Sequence, residues 1–134
     1  MEKHYLDTNY FLRLILSDNK EQSKKARQLL MEGEKGKISL YTTSIVLFEI
    51  SWVLKSFYEQ SKAVIHKTLT NILNLNFINI PDKETVTKAL NIYQTSNLSL
   101  EDSYHLAFCL INKLNHIATF DKDLRRKFIR LAHA

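Results

Sequence analysis

Short apolar segments alternate with longer amphipathic segments along this chain, and this alternation constrains the fold more than any other feature. The short segments have strand character, and the longer ones space their apolar side chains as helices do. Strands that alternate with helices form βαβ units, so we expect an α/β fold with a mainly parallel sheet. The expected strands are KHYL (3–6), ISLYT (38–42), FINI (77–80) and HIATF (116–120); the final segment, DKDLRRKFIRL (121–131), predicts a short helical turn and leaves room for a fifth strand.

The composition is that of a globular protein organised as one domain over residues 1–134. Hydrophobic residues make up 45% of the chain and charged residues 25%, and two glycines and one proline leave little material for linkers. No signal peptide is visible and no apolar run is long enough to span a bilayer, so we expect no membrane partner. The single cysteine, Cys109, cannot form a disulfide within the chain. The lack of a disulfide favours a reducing, cytoplasmic location. The apolar residues around Cys109 predict that it lies in the core.

Glu49 lies in the middle of the apolar segment SIVLFEISWVL (44–54), which predicts a helix entering the core. Its neighbours one helical turn away include Ile45 and Trp52, so the sequence predicts a buried carboxylate. An isolated buried carboxylate is costly and becomes neutral, pairs with a cation or binds a metal. A salt bridge to a basic residue elsewhere in the chain therefore remains an alternative to a metal site.

Three further acids follow predicted strands or begin predicted helices. Asp7 follows KHYL and Asp121 follows HIATF, and ligands of parallel α/β sheets collect beyond the carboxyl ends of strands. Each acid also has a structural interpretation. Asp7 and Asp121 are suited to the N-cap of the helix that follows, and Asp102, with Ser99, resembles a capping box.

If these four acids converge, their mutual repulsion decides the chemistry of the site. Two unit charges 4 Å apart interact by about 4 kcal/mol at an effective dielectric near 20, so a cluster of carboxylates needs protons or a divalent cation. Oxygen ligands without paired cysteines or spaced histidines favour Mg²⁺ or Mn²⁺ over Zn²⁺. The net charge of +5 permits a polyanionic partner, and the basic residues Lys122, Arg125 and Arg126 beside Asp121 are candidate phosphate contacts or a solvated helix face. A divalent cation bound by carboxylates beside a basic surface suits phosphodiester hydrolysis.

Four segments, in this order, resemble the PIN domain of VapC-type toxins, the ribonucleases of type II toxin–antitoxin pairs. YLDTNYFLRLIL (5–16) resembles the opening strand and the motif that holds Asp7, Thr8 and Asn9. TTSIVLFEISWVL (42–54) resembles the segment with the family's buried glutamate, here Glu49, and the family's third acid corresponds to Asp102. The last two matching segments are LSLEDSYHLAFCL (98–110) and IATFDKDLRR (117–126), the latter with Thr119 and Asp121.

The resemblance implies a three-layer α/β/α sandwich with a mainly parallel sheet of four to five short strands. It also implies cleavage of RNA with Mg²⁺ or Mn²⁺, a homodimer, and inhibition by a cognate antitoxin. Metal binding would fall to Asp7, Glu49, Asp102 and Asp121, with Asp123 as the alternative fourth acid. Thr8, Asn9 and Thr119 would orient the acids or the phosphate.

Two other functions remain open at this point. A phosphoryl-transfer protein on a doubly wound sheet needs paired acids at the first strand, where this chain has Asp7-Thr8-Asn9, so the spacing disfavours it. A non-catalytic PIN-like domain that binds RNA or protein is the alternative to a nuclease. The presence of all four acids favours the nuclease.

Overall fold

A three-stranded parallel sheet is the centre of the N-terminal part of the computed structural model, which describes residues 1–133. The strands lie in the order β1-β2-β3 and comprise Lys3–Tyr5, Ser39–Tyr41 and Ile78–Asn79. In the register, Tyr5 lies opposite Tyr41, and Tyr41 lies opposite Asn79. The three strands therefore end at the same edge of the sheet. An α/β fold with a parallel sheet is confirmed.

Seven helices occur in the described part of the chain. Most begin with a polar side chain that accepts a backbone N–H, for example Asp7, Asn19 and Ser61. The helices are α1 (Thr8–Leu16), α2 (Lys20–Glu34), α3 (Ser44–Ser56), α4 (Lys62–Leu73), α5 (Lys83–Gln94), α6 (Leu100–Ile111) and α7 (Lys122–Ala132).

The chain packs as two compact units, Met1–Asp82 and the residues from Lys83 onward. The first unit contains the whole sheet and α1 to α4, and its core is formed by aliphatic side chains from strands and helices together, including Leu40, Leu47, Ile50 and Leu69. Thr42 is fully buried there, and its hydroxyl donates to the Leu6 carbonyl at 2.9 Å. A single domain over 1–134 stays a prediction.

In the second unit, as far as residue 133, all regular structure is helical. Helix α5 packs against α6, and α6 against α7. The core between them consists of Ala89, Ile92, Leu106, Ala107, Cys109, Leu124 and Phe128. Cys109 thus lies in a core, as its apolar surroundings predict.

Two expectations for the C-terminal third are wrong. HIATF (116–120) is irregular backbone, and residues 122–132 form one continuous helix, α7. The sheet therefore has three strands in the described residues and not four to five. A strand needs a neighbour for its backbone groups, and the other elements of this unit are helices that offer it none. In α7, Leu124 and Phe128, one helical turn apart, are both buried, which stabilises a helix there.

No helix in the described residues is both long and apolar enough to span a membrane.

Gly33 allows α2 to pack closely on β2. A Cβ built on Gly33 would lie 2.7 Å from Cγ of Leu40, whose side chain is fully buried in the centre of β2. We expect Gly33→Ala to destabilise the protein, because overpacking costs about 1–3 kcal/mol and the gain in helix propensity is only about 1 kcal/mol. Urea-induced unfolding measures the difference. Gln28→Ala, at an exposed site of the same helix, is the control; equal stability of the two variants would contradict the packing argument.

Candidate active site

Asp7 lies just past β1, at the edge of the sheet where the parallel strands end. It is exposed and serves as the N-cap of α1, with Oδ1 accepting the backbone N–H of Tyr10 at 3.2 Å. Asp7 therefore has the N-cap role that the sequence predicts as its structural interpretation. A cap bond to one oxygen leaves the other oxygen for a ligand, so capping and metal binding are compatible.

Glu49 is exposed, and the prediction that it is buried is wrong. Helix α3 buries the face that includes Val46 and Ile50, whereas Ile45 is 64% exposed and Trp52 58% exposed on the face that Glu49 shares. Apolar residues occur on nearly all sides of α3, so the sequence does not identify the face that meets the core. Glu49 therefore needs no partner to offset burial.

A hydrogen bond brings Glu49 to the start of α1. The Thr8 hydroxyl donates to Oε1 of Glu49 at 3.0 Å, across a separation of 41 residues in the chain. Thr8 directly follows Asp7, so two of the predicted acids belong to one neighbourhood at the end of the sheet. The bond also orients the Glu49 carboxylate, and its donor is a neutral hydroxyl group.

Asp102 and Asp121 line one pocket of about 370 Å³ in the second unit. Asp102 is half-buried in the first turn of α6, where the Ser99 hydroxyl accepts its backbone N–H at 3.1 Å. Thr119, His105 and Phe108 line the same pocket. The sequence indicated Asp102, Thr119 and Asp121, and the structure brings these three together.

Asp121 is held firmly at the start of α7. Its Oδ1 accepts the backbone N–H groups of Asp123 and Leu124, each at 3.0 Å, and the Thr119 hydroxyl accepts the N–H of Asp121 at 3.0 Å. The side chain of Asp123 instead forms an exposed ion pair with Arg126 at 3.5 Å. Because Asp121 lines the pocket and Asp123 pairs on the surface, the geometry favours Asp121 as the fourth acid.

A histidine, the cysteine and basic side chains also lie at or near the pocket of Asp102 and Asp121. His105, one turn after Asp102, is exposed at the pocket wall. The buried Cys109 also lines it, and burial raises the pKa of its thiol, so the thiolate that a nucleophile needs is disfavoured. Among the basic residues, Lys122 is exposed and Arg125 donates to the Thr119 carbonyl. This bond ties the basic face of α7 to the segment that precedes Asp121.

Each unit contains two of the four predicted acids. Within neither unit, over residues 1–133, do three His, Cys, Asp or Glu side chains lie close enough to hold a metal ion. One pair is Asp7 and Glu49, and the other is Asp102 and Asp121. Each pair contributes hard oxygen donors, the chemistry that Mg²⁺ and Mn²⁺ prefer.

The family model of the PIN domain matches residues 4–128, which include both pairs. The chain belongs to the PIN-domain family. PIN domains are generally nucleases and typically use divalent metal ions, so the family agrees with the oxygen donors found here. No curated protein matches the chain. The PIN assignment is thus confirmed, while the VapC-type toxin subtype stays a prediction.

Substitutions at Asp121 separate its cap role from its charge. Asp121→Ala removes the acceptor of two backbone N–H groups and is expected to cost about 1 kcal/mol, whereas Asp121→Asn keeps an acceptor and is expected to unfold close to the wild type. Thermal unfolding measures both. The control is Asp123→Ala, which removes only an exposed ion pair. Equal losses in the Ala and Asn variants of Asp121 would show that its charge, and not the cap, stabilises α7.

Proposed function

We propose that this PIN-domain protein is a metal-dependent endoribonuclease, the toxin of a type II toxin–antitoxin pair. Asp7, Glu49, Asp102 and Asp121 bind Mg²⁺ or Mn²⁺, and the reaction is hydrolysis of RNA phosphodiester bonds. The observation that carries the proposal is the hydrogen bond from Thr8 to Glu49, which assembles an acidic neighbourhood at the carboxyl edge of a parallel sheet. Ligands of such sheets bind at this edge.

The residues of the first unit fit a divalent cation. Asp7 and Glu49 are exposed carboxylates, and the bonds found for them come from the Tyr10 N–H and the Thr8 hydroxyl, not from Lys or Arg. Their charges are therefore available to a metal. When bound, such an ion activates water and offsets negative charge on the phosphate.

The other predicted residues have supporting tasks in this proposal. Thr8 fixes the carboxylate of Glu49, and Thr119 fixes the backbone at Asp121, so both orient acids without binding the metal. Asn9 lies in the first turn of α1 and faces the substrate. The exposed cations Lys122, Arg125 and Arg126 hold phosphates of the strand independently of its sequence.

The proposed toxin would also have a cognate antitoxin, form a homodimer, fold as a three-layer sandwich and act in the cytoplasm. Support for the antitoxin, the sandwich and the cytoplasm is the resemblance of four segments to VapC-type toxins. Support for the homodimer comes from the C-terminal end of α3, where Trp52 and its neighbour Phe57 are both more than half exposed and their rings stack edge to face at 5.5 Å. Exposed apolar side chains grouped in this way favour a protein interface.

The nuclease is tested with variants that keep hydrogen-bond acceptors and remove charge. We expect purified wild-type protein to cleave total RNA with Mg²⁺ or Mn²⁺ and not with EDTA, and Asp7→Asn and Glu49→Gln to lose at least about 100-fold in rate because a ligand charge is lost. Circular dichroism confirms that the variants are folded. Metal-dependent cleavage that survives in both variants would remove these acids from the site.

Absence of cleavage in folded protein, free of any co-purified inhibitor, would favour the alternative function, a non-catalytic PIN-like domain that binds RNA or protein.

The homodimer is tested at Trp52. Trp52→Lys places a charge among the exposed apolar side chains of α3, so we expect a concentration-dependent dimer to become a monomer in size-exclusion chromatography with light scattering. Ile129→Lys, at an exposed apolar site on α7, is the matched control and is expected to leave the dimer intact. Dimers of unchanged stability in the Trp52 variant would exclude this face.

A further inference from the structure

A second pocket, of about 350 Å³, lies between α1 and α2 in the first unit and shares Asp7 with the candidate site. We infer that it binds one unpaired nucleotide of the RNA strand, next to the phosphate that is cleaved. The choice of RNA as the ligand rests on the proposed function. The shape and the lining of the pocket do not depend on it. The pocket is lined by Asp7, Asn9, Tyr10, Arg13, Gln22, Lys25 and Ala26.

Arg13 is held rigidly at the wall of this pocket. Its Nε donates to Oε1 of Gln22 at 2.6 Å, and its Nη1 donates to Oδ1 of Asp18 at 2.8 Å. The Ser23 hydroxyl, buried between the helices, donates to the Arg13 carbonyl at 2.6 Å. A guanidinium carries five N–H donors, so donors remain for a phosphate after these two side-chain bonds. Arg13 therefore offers a preorganised anion contact.

Lys25 supplies a second, more mobile positive charge. It lies on α2, one turn after Gln22, and its Nζ is 3.9 Å from a Glu21 carboxylate in a pair that is mostly exposed. Such surface pairs contribute little, so a phosphate competes effectively for the ammonium group. Arg13 and Lys25 are the two basic residues of the lining and Asp7 is its one acid; outside the lining, Asp18 pairs with Arg13 and Glu21 with Lys25.

Tyr10 provides the surface that distinguishes a nucleotide from a simple anion. Its ring is 40% exposed in the pocket wall, and its backbone N–H is bonded to Asp7, which fixes its position relative to the acid. The amide side chains of Asn9 and Gln22 lie beside it and offer both donors and acceptors. An aromatic face, cations and amides are the groups with which proteins hold single-stranded nucleic acid.

The same combination favours RNA over an acidic peptide as the occupant. A peptide carboxylate gains the two cations as a phosphate does, but it gains little from the Tyr10 ring. A nucleobase stacks on an aromatic ring whatever its sequence, provided that the base is unpaired. The pocket thus selects single-stranded RNA.

Binding without metal tests the pocket independently of catalysis. A fluorescein-labelled single-stranded oligoribonucleotide is titrated with the protein in EDTA, where no metal-dependent cleavage occurs, and a hairpin duplex serves as the second probe. We expect Tyr10→Ala to weaken single-strand binding roughly 5- to 100-fold, with little change for the duplex. Tyr10→Phe keeps the ring and is expected to restore binding. Tyr58→Ala, at a ring that is 43% exposed elsewhere in the same unit, is the matched control.

The phosphate contact is tested by salt dependence. We expect Lys25→Gln to lower the slope of log Kd against log salt by about 0.7, the value for one contact to a single strand. Lys67→Gln removes an exposed charge from α4 and does not touch this pocket, so its slope is expected to match the wild type. In Mg²⁺, if the protein cleaves, both pocket variants raise KM and change kcat much less.

The possible outcomes separate the pocket from the nuclease. Wild-type affinity in Tyr10→Ala and Lys25→Gln, or equal losses in their controls, would overturn the pocket even if cleavage is normal. Tyr10-dependent binding without cleavage in Mg²⁺ would support the pocket and overturn the nuclease. Displacement of the RNA by an acidic peptide that binds independently of Tyr10 would assign the cations to a protein ligand and overturn the inference.

Discussion

The parallel pairing of β1 with β2 is the constraint on which the candidate site of the first unit depends. The Leu6 N–H donates to the Tyr41 carbonyl at 2.8 Å, and the Thr42 hydroxyl donates back to the Leu6 carbonyl at 2.9 Å. These bonds fix the two strand ends side by side, so that α1 and α3 begin at the same edge. The bond between Thr8 and Glu49 is a consequence of that arrangement.

In the proposed site, the same carboxylates serve both as helix caps and as metal ligands. Asp7 and Asp121 each use Oδ1 to hold the first turn of a helix, which fixes the position of the second oxygen as well. The structural and functional interpretations that compete in the sequence therefore support each other in the folded chain, because a cap supplies the rigidity that a metal ligand needs.

Local patterns in the sequence predicted local structure well and long-range surroundings poorly. Asp7 and Asp121 cap the helices that follow them, as predicted, because an N-cap is a local signal. HIATF has the composition of a strand but lacks a neighbouring strand within its unit, and pairing is not a local property. Glu49 was misplaced for a related reason: burial depends on which face of α3 meets the core. The pocket at Tyr10 and Lys25 likewise arises only when α1 and α2 pack, so no single motif indicates it.

The partners of Arg13 explain how cations and metal-binding carboxylates share one neighbourhood. Arg13 and Asp7 line the same pocket, and a direct ion pair between them would compete with a divalent cation for the carboxylate. Asp18 and Gln22 instead accept the hydrogen bonds of Arg13, which directs its guanidinium along the α1–α2 interface. In the proposed site, this arrangement lets the positive charge of Arg13 serve the substrate while the charge of Asp7 remains for the metal. Asp18, outside every predicted motif, is part of that proposal because it holds Arg13.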